Sequence, residues 1–367
     1  MKILVAMSGG IDSSVVTHLL REQGHEVVGV RFTLWNDPLA PAKTQLLTSK
    51  CCDAQTAARA ASVAAKLEFP LHVVNLEREF KRIVVDRYLE DVRSGLTPNP
   101  CVHCNRAIKF GRLQELADKF GCERLATGHY ARTAEETQSD GSIRCLLLEA
   151  ADKEKDQSYY LHGLSQDQLK RVLFPLGTMV KDDVFALAKK YGIPFDPQTY
   201  RESQDLCFFP EKSPQEFLKR SLKDGMHAGE IVKRDGTVVG THDGLPLYTV
   251  GQRRGLKIGG LKIPLEVVAK DVAGNRLIVD EKDRQKTHEI RVCDLTWVSW
   301  KPGENKECHL HCRTRSLSKK RSGIFRFAET AGTFTFHDPT PLQSPGQSLV
   351  LYRGEEIVGG GFITNEQ

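Results

Sequence analysis

A hydrophobic run that stops at two glycines, then a cluster of hydroxyls, then a helical pattern constrains this chain more than any other stretch. It is MKILVAMSGGIDSSVVTHLL, residues 1–20. Ile3-Leu4-Val5-Ala6-Met7 is short and apolar, with branched residues, as a strand buried on both faces requires. From Ser13 onward Val15, Val16, Leu19 and Leu20 recur at helical spacing, and Gly24 supplies a stop. Between strand and helix lie Ser8, Gly9, Gly10, Asp12 and Ser13. Glycines let backbone come close to a ligand, and the first N–H groups of a helix are unpaired donors at its positive end. Such a turn suits an anion, above all a phosphate. It is not a Walker loop, because no Lys followed by Ser or Thr comes after the last glycine. The three-glycine spacing of a dinucleotide fingerprint is absent too.

At 367 residues the chain exceeds one ordinary core, and two or three domains are expected. A hydrophobic content of 40% and a mean hydropathy of −0.36 describe a soluble globular protein. Its longest apolar runs are strand-sized, which predicts no membrane-spanning segment and no contact with a membrane. The first strand begins at the N-terminus, which predicts no signal peptide. Ten cysteines without secretion point to a reducing cytoplasm, where thiols serve catalysis or metal binding more often than structure. The net charge is only +5, but Lys301 to Arg321 holds seven Lys or Arg against two Glu, a basic stretch suited to nucleic acid.

Strand and helix patterns alternate over the first two hundred residues. Val27–Val30 and Leu71–Val74 read as strands. Ala54–Lys66, Phe80–Ser94 and Ile108–Phe120 read as helices, and a further strand pattern begins at Arg124. This rhythm predicts an α/β fold, a doubly wound parallel sheet with ligands at the carboxyl ends of its strands. From Gly229 onward the chain reads as hairpins, such as Glu230-Ile231-Val232 and Thr237-Val238-Val239 around Arg234-Asp235-Gly236. The expected division is a catalytic domain over 1–209, a small β-rich domain over 210–285 and a β-barrel-like domain over 286–367.

TPNPCVHCN, residues 97–105, places Cys101 and Cys104 at CxxC spacing before a helix, where the dipole and free N–H groups favour a thiolate. A redox motif, half of a zinc knuckle and a catalytic thiol in need of a partner all satisfy that spacing. The candidate partner is Cys207, where the polar Ser203-Gln204-Asp205 runs into the apolar Leu206-Cys207-Phe208-Phe209; alone it reads as a core cysteine. Cys51 and Cys52 are vicinal and begin a helix pattern. Cys308-His309-Leu310-His311-Cys312 invites a metal site, but on a strand the cysteines face one way and the histidines the other. It is read as a strand.

SGGIDS resembles the PP-loop signature of the ATP pyrophosphatases. Together with TPNPCVHCN, ATGHYAR (126–132), KDQSYYL (155–161), SQDLCF (203–208) and GLPLYTVGQRRGL (244–256), in this order, it is similar to the bacterial tRNA-specific 2-thiouridylases over nearly the whole chain. The likeness is weakest in the last eighty residues, where CRTRS and SPGQSLVLY are its echoes. The resemblance implies ATP-dependent transfer of sulfur to the 2-position of a wobble uridine in tRNA. Ala6, Met7, Ser8, Gly9, Gly10, Ile11, Asp12 and Ser13 would hold the phosphates of ATP with its Mg2+, and Leu34 and Gly128 would border the adenosine. ATP would adenylate the uridine C2 oxygen. Cys207 would carry a persulfide from a cysteine desulfurase or a relay protein, and Cys104 would be the nucleophile that ends in a disulfide with Cys207. Asn99, Pro100 and Cys101 would face the target base. His129, Lys155, Asp156, Gln157, Arg313, Arg315 and Gln347 would contact tRNA. Related proteins carry Asp where this chain has Cys101, so a second implication is an iron–sulfur cluster on Cys101, Cys104 and Cys207. The other readings are a different PP-loop adenylating enzyme, such as another tRNA sulfurtransferase or an amidotransferase-type synthetase, and a non-catalytic nucleotide-gated RNA-binding protein.

Overall fold

The strand that opens the chain is apolar without a break because both its faces are covered. In the computed structural model, which describes residues 1–41, 54–195, 206–211, 213–259, 264–281 and 286–365, β1 (Lys2–Ala6) is the centre of a parallel sheet. Leu4, Val28, Val30 and Leu125 pack on one face with Leu113 and Ala117 of the helix Gly111–Lys119. Ile3, Val5, Val27 and Ala126 pack on the other, against the helices Ile11–Glu22, Ala54–Lys66 and Lys181–Lys190. Parallel strands covered in this way lose the alternation of a half-exposed sheet.

The remaining strands of this part are β2 (Glu26–Thr33), β3 (Leu71–Asn75), β4 (Arg124–Ala126), the hairpin β5 (Arg132–Thr137) and β6 (Ile143–Leu148), and β7 (Val172–Leu173). The sheet order is β3-β2-β1-β4-β7. The chain winds from β1 outward through β2 and β3, then returns to the other side of β1 for β4 and β7. The loops that follow β1 and β4 therefore flank the switch point, where open α/β sheets bind ligands. The doubly wound sheet expected from the sequence is present, and two β-rich units follow it.

The first is a sheet ordered β10-β11-β8-β9, from β8 (Gly229–Lys233), β9 (Val238–His242), β10 (Leu265–Asp271) and β11 (Arg276–Glu281). The second comprises β12 (Lys286–Trp297), β13 (Cys308–Arg313), β14 (Arg321–Ala328), β15 (Ala331–Pro341), β16 (Ser348–Arg353) and β17 (Glu356–Ile363). Its order is β12-β15-β14-β13-β16-β17, and β12 pairs back with β17, so the strands close into a barrel. In β13 Cys312 is buried and Cys308 half-buried, while His309 and His311 are exposed, as the strand reading requires. The β5–β6 hairpin extends this barrel sheet by pairing Leu147 and Leu148 with Ile357 and Glu356. A segment that belongs by sequence to the first unit thus joins the sheet of the last.

Two histidines lie in the seam between these units. His162 is 1% exposed and shares a hydrogen bond with Ser348 Oγ at 3.2 Å, and His103 stacks on Phe362 at 4.8 Å. Burial pushes the His162 pKa down to about 3, helped by His103, and burial with Arg87 and Arg106 pushes His103 down to about 4. Both values lie below the unfolded value near 6.5, so at mildly acid pH the unfolded chain binds more protons than the folded one. Stability is complete above about pH 6.5 and falls as pH drops toward those values; His162 alone contributes a loss of about 2 kcal/mol by pH 5. Thermal melts are expected to show a falling Tm from pH 7 to 5, with a shallower slope in His162→Asn.

Candidate active site

The loop after β1 is held from behind by cations. Arg31 Nη1 donates to the Ser8 carbonyl at 2.6 Å, and Arg59 Nη1 donates to the Gly9 carbonyl at 2.7 Å. Inside the loop Ser8 Oγ accepts from the Gly10 N–H at 3.2 Å and shares a hydrogen bond with Ser13 Oγ at 3.1 Å. Ser13 and Ser14 hydroxyls both donate to the Gly10 carbonyl. The loop is thus held in shape by protein hydrogen bonds on both sides. Gly9 has φ +79°, and a Cβ there would sit 1.9 Å from the Thr56 carbonyl oxygen, so only glycine fits. Gly10 has φ −73°, and its Cβ would meet only Ser8 Oγ at 3.4 Å. Space for a ligand opens at Gly10, not at Gly9.

Asp12 stands in the first turn of the following helix, where Tyr130 OH donates to its Oδ1 at 3.1 Å and Lys181 Nζ at 2.6 Å. Tyr130 is in turn fixed by Gln157, whose Oε1 accepts from the Tyr130 N–H at 3.0 Å. Gly128 follows β4 and lies so close to Asp12 and Ser13 that a Cβ would meet them at 3.0 to 3.2 Å. Leu34 directly follows the neighbouring strand β2. The residues expected around ATP therefore gather at the switch point of the sheet. Arg31, Arg59, Tyr130 and Lys181 were not singled out from the sequence, because each reaches the loop from a distant segment.

The CxxC does not precede its helix but lies within it. Asn99 occupies the N-cap position without a side-chain capping bond, Pro100 starts the helix, and Cys104 opens a wide-turn π segment, Cys104–Phe110. Such π segments are frequent at functional sites. Cys101 is accessible to solvent yet crowded by protein atoms, which raises its thiol pKa against the pull of Lys109. Cys104 is buried in an apolar cluster with Phe80, Tyr88, Phe208 and Phe217, and Cys207 and Leu34 pack against that same cluster. The two thiols, distant in sequence, share one environment beside the strand end expected to border the nucleotide. The segment that carries Cys207 is anchored by Arg220, which pairs with Asp37 at 2.6 Å and Glu211 at 2.7 Å, while the Asp37 N–H donates to the Phe208 carbonyl. Cys51, Cys52 and the Ser203-Gln204-Asp205 turn lie outside the described residues.

The three thiols named as iron–sulfur ligands do not share one setting. Cys101 faces solvent while Cys104 and Cys207 enter the apolar cluster, and among the described residues no group of three or more His, Cys, Asp or Glu side chains is arranged to hold a metal ion.

The residues expected to meet tRNA differ in their settings. Asp156 is 3% exposed and accepts from Ala150 N–H, Ser158 N–H and Ser158 Oγ; burial raises its pKa against those bonds. Arg313 pairs with Asp156 at 3.3 Å and with buried Glu149 at 3.0 Å, over the ring of Tyr352. These two pair with each other across the seam between the parallel-sheet unit and the barrel, with Asp156 buried and Arg313 half-buried. Gln347 is also internal in part, since its Nε2 donates to the Thr97 carbonyl at 2.7 Å and ties the barrel to the segment before Asn99. His129 shares a hydrogen bond with Thr127 between the rings of Phe110 and Phe174, and burial, with Lys109, keeps it neutral. Lys155 is half-buried. Arg315 is different. With Arg253 and Arg254 it lines an open cleft of about 640 Å³ between the middle unit and the barrel.

A parallel sheet with a preformed glycine loop at its switch point, and thiols beside the adjoining strand end, defines the chain as a HUP-type nucleotide-binding protein. Residues 1–211 match the tRNA methyl transferase HUP domain, 215–281 the tRNA methyl transferase PRC-barrel domain and 287–363 the aminomethyltransferase beta-barrel domain. Along its full length the chain is 41% identical to the tRNA-specific 2-thiouridylase MnmA of Chloroflexus aurantiacus, covering 100% of this chain and 99% of that protein. It is 40% identical to the MnmA of Geobacter metallireducens, covering 99% and 96%. The chain belongs to the tRNA-specific 2-thiouridylase family.

Proposed function

We propose that this protein is an ATP-dependent sulfurtransferase that converts a wobble uridine of tRNA to 2-thiouridine. The observation that carries the reading is the meeting of Cys104 and Cys207 in one apolar cluster with Leu34, at the sheet edge where the glycine loop opens. Methyl transfer, named in two of the domain descriptions, has no use for such a pair. Exchange of oxygen for sulfur requires an activator, a sulfur nucleophile and a polyanion surface, and this chain has residues suited to each.

In the first step the uridine C2 oxygen attacks the α-phosphorus of ATP; the bond to the β-phosphate breaks and pyrophosphate leaves. Loop N–H groups and the helix end at Ile11 stabilise the charge that develops there, and Mg2+ enters with ATP as its counterion. Next, the terminal sulfur of a Cys207 persulfide attacks C2, and AMP departs with the former carbonyl oxygen. The Cys104 thiolate then attacks the Cys207 sulfur of the C2–S–S–Cys207 adduct. That step releases thiouridine and leaves a Cys104–Cys207 disulfide, which a cellular dithiol reduces. A cysteine desulfurase or relay protein supplies the sulfane sulfur. The units divide the work: the sheet unit binds ATP and does the chemistry, and the β-rich units hold tRNA. Mass spectrometry of wobble nucleosides from cells with and without the gene tests the reading; unchanged 2-thiouridine on deletion would rule it out.

The two arginines of CRTRS separate in this scheme. Arg313→Met leaves buried Glu149 with Lys153 and Lys320 and leaves Asp156 with its hydrogen bonds alone, and is expected to cost about 1–3 kcal/mol of folding stability. Arg315→Ala is expected to leave the melt unchanged and to reduce the slope of log K against log salt for tRNA binding by about 1. Equal effects of the two changes on stability and on tRNA affinity would contradict the distinction.

A further inference from the structure

The segment that leads into the CxxC helix is held from outside its own unit. The Thr97 N–H donates to the Pro345 carbonyl at 2.7 Å, and Gln347 Nε2 donates to the Thr97 carbonyl at 2.7 Å. Among the described residues Thr97 has no other hydrogen bond, and its buried Oγ1 has no partner. Both partners belong to the turn Ser344-Pro345-Gly346-Gln347, which joins β15 to β16 in the barrel. The end of β17 fixes that turn: the Gly346 N–H donates to the Ile363 carbonyl and the Ile363 N–H to the Gln347 carbonyl, both at 2.8 Å. The turn also reaches the middle unit. Ser344 is 3% exposed, and its Oγ donates to the Val250 carbonyl at 3.0 Å. Gly251, Arg253 and Arg254 follow Val250 and line the open cleft with Arg315. Four residues thus touch all three units.

The contact is close as well as bonded. Gly346 has φ +86°, and a Cβ there would lie 2.9 Å from Leu96 Cβ and 3.0 and 3.1 Å from the backbone N and C of Thr97. Backbone atoms cannot swing aside as the tip of a side chain can, so glycine is what lets the turn sit against this segment.

We infer that the turn 344–347 is a positioning element for the reaction: it sets the place of the residues that meet the target base and ties them to the cleft that receives tRNA. This rests on the reading of the protein as a tRNA sulfurtransferase with Asn99, Pro100 and Cys101 at the base. Thr97 is two residues from Asn99, and Pro98 and Pro100 restrict the backbone between them. A shift at Thr97 therefore passes to the start of the helix that carries Cys101 and Cys104. A misplacement of about 1 Å can cost on the order of 100-fold in rate. RNA seated against Arg253, Arg254 and Arg315 bears on the segment after Val250, one hydrogen bond from Ser344. Backbone and base of the RNA are registered against each other through this turn. Gln347 acts here through Thr97.

The test uses the whole protein and a matched pair of glycines. Gly346→Ala and Gly354→Ala both place a side chain at positive φ in the barrel, +86° and +64°, but a Cβ at Gly354 meets nothing within 4 Å. The two share the backbone strain and differ in the contact. Gly346→Ala is expected to lower kcat for 2-thiouridine formation about 10- to 100-fold relative to Gly354→Ala, with KM for tRNA and the affinity for ATP within about threefold. Gln347→Met keeps the volume, removes the donor, and should lower kcat by about 3- to 10-fold, again with KM little changed. Hydrogen exchange without substrates should be faster at the Thr97 amide in Gly346→Ala than in Gly354→Ala, which reports movement of the segment. Equal kcat in the two glycine variants overturns the inference. So does a raised KM for tRNA at unchanged kcat in Gln347→Met, since the turn is then an RNA contact alone. Should Gly346→Ala not fold, Gln347→Met decides. If the wild-type protein forms no thiouridine, the proposed activity fails first and this inference with it.

Discussion

Cys104→Ser and Cys207→Ser are each expected to reduce thiolation by at least about 10³-fold while ATP binding and the thermal melt stay close to wild type. Serine is nearly the size of cysteine, so the apolar cluster around Phe80, Tyr88, Phe208 and Phe217 keeps its packing. A hydroxyl cannot carry sulfane sulfur, however, and it is a poor attacker of a disulfide at neutral pH. The two changes should differ in where the reaction stops. Cys207→Ser removes the persulfide, so no sulfur reaches the base. Cys104→Ser should halt after attack and leave tRNA attached to Cys207 through a disulfide that added thiol releases. Gel mobility of labelled tRNA with and without dithiothreitol reads that difference. Cys101→Asp, on the solvent side of the helix, is expected to stay within about tenfold of wild type, since in the persulfide route it only borders the base. Loss of activity in Cys101→Asp equal to that in Cys104→Ser would count against the route.

The second large effect concerns the loop, and the two glycines separate it from a folding defect. Gly9→Val is expected to destabilise the protein, because its φ is +79° and its Cβ would run into the Thr56 carbonyl. An inactive Gly9 variant therefore says little about ATP. Gly10→Val has an allowed backbone and a Cβ that meets only Ser8 Oγ, so its branched side chain enters the space left for phosphate. It is expected to melt within a few degrees of wild type and to lose tRNA-dependent AMP release by about 10²-fold or more. Normal AMP release by a folded Gly10→Val protein would remove the phosphates from this loop.

Local patterns made the framework of this fold legible. The apolar run at Ile3–Met7 is a strand within one residue of its bounds, because a strand covered on both faces has no polar positions to blur it. The following helix begins at Ile11, not Ser13. Ser13 and Ser14 return their hydroxyls to the Gly10 carbonyl, so polar residues that hide the first turn from a periodicity argument are part of it. The β5–β6 hairpin has a local signature in the alternation through Thr133, Glu135 and Thr137 and the turn residues Asp140-Gly141. Its pairing with β17 carried none, since no local rule says which distant edge a hairpin will extend.

The site divides in the same way. The glycine loop and the CxxC each have a compact signature, whereas Cys207 by itself reads as a core cysteine and takes a role only from the resemblance. Arg31, Arg59 and Lys181 have no signature, because a lone cation within an ordinary strand or helix gives no sign of the carbonyl or carboxylate it will meet. Arg313 and Arg315 look alike in sequence, and only the positions of Glu149 and Asp156, buried and far upstream, turn the first inward.

The most direct measurement of the central claim is reconstitution. Purified protein is incubated with ATP, unmodified tRNA and a cysteine desulfurase with cysteine as the source of persulfide; nucleosides and AMP are then quantified by mass spectrometry. The account predicts 2-thiouridine at the wobble position and AMP in equal amounts, both dependent on tRNA and ATP and neither dependent on added iron. AMP without thiouridine even with the persulfide source present, or thiouridine that forms only in proportion to bound iron, would contradict it.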